Sequence, residues 1–302
     1  EAYRNKTSAA PQTATIPIDA MYRGDFSAWR NAAGQLIPIY DPATTVGSTR
    51  TPFTGNAIPQ GRIDPVALSL LQRYPLPTGS GTANNFSRTD NEVDNQDQWD
   101  VRIDHKLPSN KDQMFGRLTY FRDGFVPVTP LPEGSGVTTG TFGPQDTTAW
   151  SFASNYQRIF SSHLLNEVRF GNTSRTVDRN AAQLATSAGS SLNIPGIPSN
   201  ASFPNTLPTF LVSGYQQLGS PPNTASNFHT SVTEVADSLS WLKGSHSIKM
   251  GFDFRWERLN VVQPPSPTGS FTFNNIGSDQ PGVANTGTPL ASFLLGQVQN
   301  FS

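Results

Sequence analysis

Apolar and polar residues alternate from about residue 229 to residue 258, and this alternation predicts two long β-strands joined by a tight turn at 243–245. On the second strand, one side carries only apolar residues, namely Ile248, Met250, Phe252, Phe254 and Trp256. The other side is mostly polar or charged and carries Ser247, Lys249, Gly251, Asp253, Arg255 and Glu257. A period of two with one apolar face indicates an antiparallel strand that borders an apolar medium on one side.

The length of these strands indicates whether their apolar faces contact lipid or a protein core. Strands of soluble proteins average roughly 5–6 residues, whereas a strand of about 11 residues, tilted near 45°, crosses the hydrocarbon core of a bilayer. Both strands reach that length, so we expect their apolar faces to meet lipid rather than a protein core.

The same pattern recurs in two further hairpins. Strands are predicted near 99–107, 113–122, 149–160, 164–176, 229–242 and 246–258, and we expect them to form one antiparallel meander. Short turns join the strands within each hairpin, and much longer loops join successive hairpins. This asymmetry predicts an all-β fold, a partial antiparallel transmembrane β-barrel with short periplasmic turns and long extracellular loops. The competing interpretation is a soluble β-sandwich with aromatic core residues.

Aromatic residues gather near the predicted strand ends. Trp99, Trp150 and Trp256 lie at the ends away from the turns, and Phe160 and Trp241 lie at the turn ends. Two girdles at the two membrane interfaces would produce this arrangement. Because about eight strands cannot enclose a wide lumen, we expect an open or curled sheet that leaves its apolar side chains accessible, among them Ile248, Phe252, Phe254, Val168 and Phe170.

The whole chain, 1–302, is interpreted as a fragment of one barrel domain, since it begins at Glu1 rather than Met. We assign 5–94 to a long extracellular loop and 95–302 to barrel hairpins and loops. A short helix is predicted from Asp64 to Arg73, because Asp64 can cap it and Pro65 suits its first position. A short strand at 271–273 and a helical turn at 290–295 are also predicted.

Composition narrows the function classes. Charged residues make up 14% of the chain against roughly 25% in an average soluble domain, which suits strands and turn-rich loops. The net charge of −1 gives no footprint for nucleic acid. Cysteine is absent, which excludes disulfides, thiolate metal sites and cysteine nucleophiles.

Candidate chemistry is sparse, and we expect no enzyme, no cofactor and no metal site. The histidines at 105, 163, 229 and 246 lack metal-ligand spacing, and an interfacial role is expected for His105 and His246. The acids are interpreted as lumen residues rather than as a glycosidase pair; they are Asp100, Asp104, Glu167, Asp253 and Glu257. We expect them to face basic residues across strands, namely Arg102, Lys106, Arg169, Lys249 and Arg255. The Arg23-Gly24-Asp25 tripeptide is interpreted as a chance match, and the glycines at 134, 136 and 140 miss a dinucleotide fingerprint.

Several segments, in this order, resemble the Oar-like TonB-dependent outer-membrane transporters of Acidobacteria. They include residues 8–13, 21–27, 39–45, 53–59, 62–67, 74–77, 100–105, 164–171 and 245–251. The resemblance implies a plugged barrel in the bacterial cell outer membrane that takes up a large solute. It also implies three partners: outer-membrane lipid, an unidentified extracellular solute, and the TonB complex, which would act through a plug region outside the matching residues.

Two other functions stay open at this point. The first is a surface or secreted β-rich module that binds glycan or protein through its loops. The second, a polysaccharide hydrolase, requires acids that converge. The sequence does not identify the substrate-binding residues.

Overall fold

The computed structural model describes residues 1–135, 143–180, 192, 194, 197 and 207–302. Its strands are β1 (Ala2–Ser8), β2 (Gln12–Ala14), β3 (Tyr40–Val46), β4 (Thr49–Pro52), β5 (Phe86–Arg88), β6 (Asn91–Lys106), β7 (Asp112–Val126), β8 (Gln145–Ser161), β9 (Leu164–Arg179), β10 (Thr209–Val212), β11 (Ser226–Lys243), β12 (His246–Val262), β13 (Ser270–Phe273) and β14 (Asn300–Phe301). The two α-helices are α1 (Pro65–Leu71) and α2 (Pro289–Leu294), and short 3₁₀ helices span Asp19–Arg23, Thr54–Asn56, Gln60–Arg62 and Asn275–Gly277. No helix among these residues is both long and apolar enough to cross a membrane.

The main sheet, here called the wall, has the strand order β1-β6-β7-β8-β9-β11-β12, and every neighbouring pair in it is antiparallel. The predicted meander is therefore confirmed. The six long strands contain 15 to 18 residues each, which exceeds the roughly 9–11 needed to cross a bilayer. Each strand extends beyond its predicted span at one or both ends, although β6 ends at Lys106, one residue short of the prediction. The strands also include residues 5–8 and 91–94, which the sequence assigned to the loop.

The register divides the wall into two faces. We call the side that carries Phe252 the outer face and the side that carries Asp253 the inner face. Phe252 and Phe254 are 58% and 62% exposed, and Val168 and Phe170 are exposed as well, as predicted. Ile248 is only half-buried rather than exposed, and it lies directly opposite the large indole of Trp241.

The long connections pack together at the end of the wall opposite the short turns. We call residues 9–90, 127–135, 207–225 and 263–302 the loop assembly. Its core contains fully buried side chains from distant segments, among them Ile16, Phe26, Leu131, Leu218 and Phe293. Among the described residues, no member of this core comes from the wall. The segment that the sequence predicted as one irregular loop is therefore part of a packed structure.

Two buried asparagines hold irregular backbone in this assembly. Asn56 accepts the N–H of Ile39 at 2.8 Å and donates to the carbonyl oxygens of Phe26 and Ile37 at 2.8 and 3.0 Å. The Asn85 side chain accepts a hydrogen bond from the N–H of Ile16 at 2.9 Å and donates one to the carbonyl oxygen of Ile16 at 3.0 Å. Buried backbone groups outside regular structure need such partners, so these side chains replace the hydrogen bonds that a helix or sheet would supply.

The two predicted helices and the predicted short strand are present as α1, α2 and β13. The Oδ1 atom of Asp64 accepts the N–H groups of Val66 and Ala67 at 2.8 and 3.0 Å, which is the expected N-cap geometry. Thr288 caps α2 by accepting from the N–H of Ala291 at 3.4 Å. Both helices place proline in their first turn, as the sequence indicated for α1.

Candidate functional site: inner face and loop assembly

The inner face of the wall carries the charged residues that the sequence placed in a lumen. Asp100 on β6 accepts hydrogen bonds from Arg117 at 2.7 Å and Thr119 at 2.5 Å, both on the neighbouring β7. The Asp100–Arg117 pair forms across strands, but Arg117 is not one of the basic residues that the sequence assigned as partners. These hydrogen bonds fix the orientation of the exposed carboxylate.

Other inner-face charges pair along one strand rather than across strands, which corrects part of the prediction. Arg102 bonds Asp104 at 2.8 and 2.9 Å, and Arg255 bonds Glu257 at 2.8 Å. Positions two apart share a face in a strand, so side chains of this length reach each other without help from a neighbouring strand. The guanidinium of Arg102 also lies 3.9 Å from the ring centroid of Phe115.

The five acids that the sequence placed in the lumen do not converge on one point. Asp100 and Asp104 lie on β6, Glu167 lies on β9, and Asp253 and Glu257 lie on β12. The side chain of Glu167 accepts a hydrogen bond from Asn155. These five carboxylates are therefore distributed over three strands of the wall, β6, β9 and β12.

A shallow concavity of about 330 Å³ lies on the same surface. It is lined by inner-face residues of β7, β8, β9 and β11, among them Phe115, Asn155, Arg169 and Glu234. A mixed aromatic and charged lining of this kind can contact a polar chain or a solute that passes along the inner face.

The four histidines occupy separate places. His105 and His246 lie on the outer face toward the turn ends, in register with Met114 and Lys243. His163 lies in the turn at 162–163, and His229 bonds Thr176 at 3.0 Å. Across the residues that the structure describes, no group of three or more histidine, aspartate or glutamate side chains could hold a metal ion.

The Arg23-Gly24-Asp25 tripeptide ends a 3₁₀ helix. Arg23 bonds Asp19 at 2.8 Å, Gly24 has a φ of 76°, and Asp25 Oδ1 accepts the N–H of Ser27 at 2.8 Å. All three residues thus have local structural roles. The glycines at 136 and 140, which the sequence analysis named with Gly134, lie outside the described residues.

Aromatic side chains of the outer face form two groups, one near the short turns and one within the strands. The second group does not lie at the far strand ends as predicted, because β6 begins at Asn91 and β8 at Gln145. Trp99, Tyr120 and Trp150 form one cluster on β6, β7 and β8, with ring centroids 4.5 to 5.8 Å apart. Near the short turns, the ammonium group of Lys243 lies 4.9 Å from the ring of Trp241. Such groups suit a membrane interface, because an aromatic body can enter the apolar layer while a charged tip stays in water.

Two ion pairs fix the β3–β4 hairpin and its surroundings within the loop assembly. Arg50 pairs with Asp279 at 3.1 Å, and each side chain is only 13% exposed. Burial raises the pKa of the Asp279 carboxyl, and Arg50 opposes that change. Arg62 binds both oxygens of Asp41, at 2.5 and 2.6 Å, and these hydrogen bonds lower the pKa of the Asp41 carboxyl.

The family model for an outer membrane beta barrel domain matches residues 1–302, which is the entire chain. The chain therefore belongs to the outer membrane beta barrel domain family and is a protein of the bacterial outer membrane. Comparisons with curated proteins and with solved structures gave no match.

Proposed function

We propose that this chain forms the wall and outer loops of a TonB-dependent, Oar-like transporter. In this proposal the loop assembly captures a solute outside the cell. A plug region blocks the lumen, and the TonB complex acts on that plug to open a path along the inner face. The proposal assigns no catalytic role to the chain.

The observation that carries the proposal is the placement of the loop assembly relative to the wall. A packed structure with its own buried core lies at one end of strands long enough to cross a bilayer, and short turns lie at the other end. The inner face between them is charged and carries the shallow concavity. A structure that only anchored a protein in the membrane would need neither the packed loops nor a polar face this extensive.

Binding without transport is the second candidate function, because the same loops could hold a glycan or a protein at the cell surface. The two functions differ in their dependence on the TonB complex. The resemblance to Oar-like transporters favours transport.

The test uses the complete gene product in outer-membrane vesicles and the purified periplasmic domain of TonB. We expect vesicles with the gene product to retain the TonB domain above the level of vesicles that lack it. Absence of retention, with the gene product correctly inserted, would contradict TonB-dependent transport and favour the surface-binding function.

A further inference from the structure

The loop assembly contains a cleft of about 180 Å³ between α1, α2, β10 and β13. Its base consists of the buried side chains of Leu70, Phe210, Phe273 and Phe293. The half-buried Phe271 lines one side of the cleft. An apolar cavity of roughly 150 Å³ is large enough to bind benzene, so this cleft has room for one six-membered ring.

The phenylalanines around the cleft hold one another in fixed positions. Phe210 and Phe271 stack with their centroids 5.1 Å apart, and Phe273 meets Phe293 edge to face at 5.1 Å. A site preformed in this way requires little ordering when a ligand enters. Aromatic surfaces attract other rings and also cations.

One carboxylate borders this apolar lining. Asp64 uses Oδ1 to cap α1, and its own N–H donates to the carbonyl oxygen of Leu294 at 2.8 Å. No hydrogen-bond donor or cation of the described residues reaches its Oδ2. The carboxylate is therefore held in place from one side and keeps an acceptor atom for a ligand.

Gly296 makes the close approach to this carboxylate possible. It has a φ of 66°, and a Cβ atom added there would lie 3.1 Å from Asp64 Oδ2. A larger residue would be strained in this conformation and would crowd the acceptor atom. Gly296 thus keeps the charged edge of the cleft open.

We propose that this cleft binds a small organic cation that consists of one aromatic or similarly sized apolar ring bearing an ammonium group. The ring would occupy the space above the phenylalanines, and the ammonium group would donate a hydrogen bond to Asp64 Oδ2. The inference deepens the proposed function, because it rests on the loop assembly as the part that captures the solute.

The test measures binding of benzylamine to the complete gene product in lipid vesicles by equilibrium dialysis at neutral pH. Benzyl alcohol and benzoate serve as ring-matched probes without a positive charge. We expect benzylamine to bind at least tenfold more tightly than benzyl alcohol, and benzoate to bind most weakly. Equal binding of the three probes, or no saturable binding of benzylamine, would overturn the proposal.

Two variants locate the site. Asp64→Asn keeps an efficient helix cap but removes the charge. It should therefore weaken the binding of benzylamine at least fivefold and leave the binding of benzyl alcohol unchanged. Asp25→Asn removes a carboxylate elsewhere in the loop assembly and should change the affinity for neither probe. Unchanged benzylamine affinity in Asp64→Asn would overturn the assignment. The TonB retention assay involves none of these probes, so the transport proposal can fail while this one stands, and the reverse.

Discussion

Asp237 on β11 and Phe252 on β12 are direct register partners, and both lie on the outer face of the wall. Asp237 is also the central one of the five outer-face residues from Thr233 to Trp241 on β11. Asn166 donates a hydrogen bond to its Oδ1 at 2.5 Å. A carboxyl group thus lies amid the apolar side chains of a membrane-exposed surface, with one polar neighbour to reduce the cost.

The first prediction concerns that carboxyl group. Asp237→Val should stabilise the protein in lipid by about 1 kcal/mol, because an acidic side chain at mid-depth of a barrel's lipid face is destabilising. Urea-dependent folding in lipid vesicles measures the change. Glu234→Val, on the inner face of the same strand, is the matched control and should give no gain. A loss of stability in Asp237→Val would show that the carboxyl group makes a favourable contact in the membrane.

The second prediction tests the two faces of β12. Phe252→Arg should cost roughly 2–4 kcal/mol of barrel stability, as a basic residue does at the bilayer midplane. Asp253→Asn should cost much less, because its side chain lies on the inner face and stays in water. The readout is the outer-membrane yield of both variants of the complete gene product, together with folding titrations in vesicles. The reverse order of effects would mean that the faces are assigned the wrong way round.

A third prediction concerns the buried ion pair of the loop assembly. Arg50→Met should destabilise the region around the β3–β4 hairpin by about 1–3 kcal/mol at neutral pH, since it leaves the Asp279 carboxylate poorly solvated and unpaired. Burial already raises the pKa of Asp279, so protonation at acid pH should relieve part of the cost. Hydrogen exchange of residues 40–52 measures the effect. Arg23→Met breaks an exposed pair and should change exchange little.

The fourth prediction is a pH dependence at Asp41. Hydrogen bonds from Arg62 lower the pKa of its carboxyl below the value in the unfolded chain. The pair therefore contributes stability above about pH 4, where the unfolded carboxyl is ionised, and the contribution is lost as pH falls through the lowered pKa. Asp41→Asn should remove this acid-sensitive part of the stability. An unchanged acid transition, measured by hydrogen exchange between pH 2 and pH 6, would contradict it.

The wall was predictable because its signal is local. A period of two over more than ten residues identifies each long strand, and the register then follows from the short turns. The α1 helix was equally visible, since the Asp64-Pro65 pair marks its start. These features depend on neighbours in the sequence, which pattern analysis can detect.

The core of the loop assembly was not predictable in the same way. Its buried residues, such as Ile16, Leu131 and Phe293, are scattered along the chain without a period, and only tertiary packing brings them together. Asn56 and Asn85 look like ordinary loop residues until their backbone partners are known. The cleft beside Asp64 has the same origin, because its lining joins α1 to β10, β13 and α2, which follow much later in the chain.

The separation between the wall and the core of the loop assembly has an evolutionary consequence. Because the buried cluster of the loop assembly contains no described wall residue, we expect substitutions on the surface of the loop assembly to leave the membrane-crossing strands unchanged. Related proteins can therefore vary the surface of the loop assembly while keeping the same scaffold in the membrane. Sequence divergence within the family should accordingly concentrate in the segments that connect the hairpins, and the alternation within the hairpins should persist.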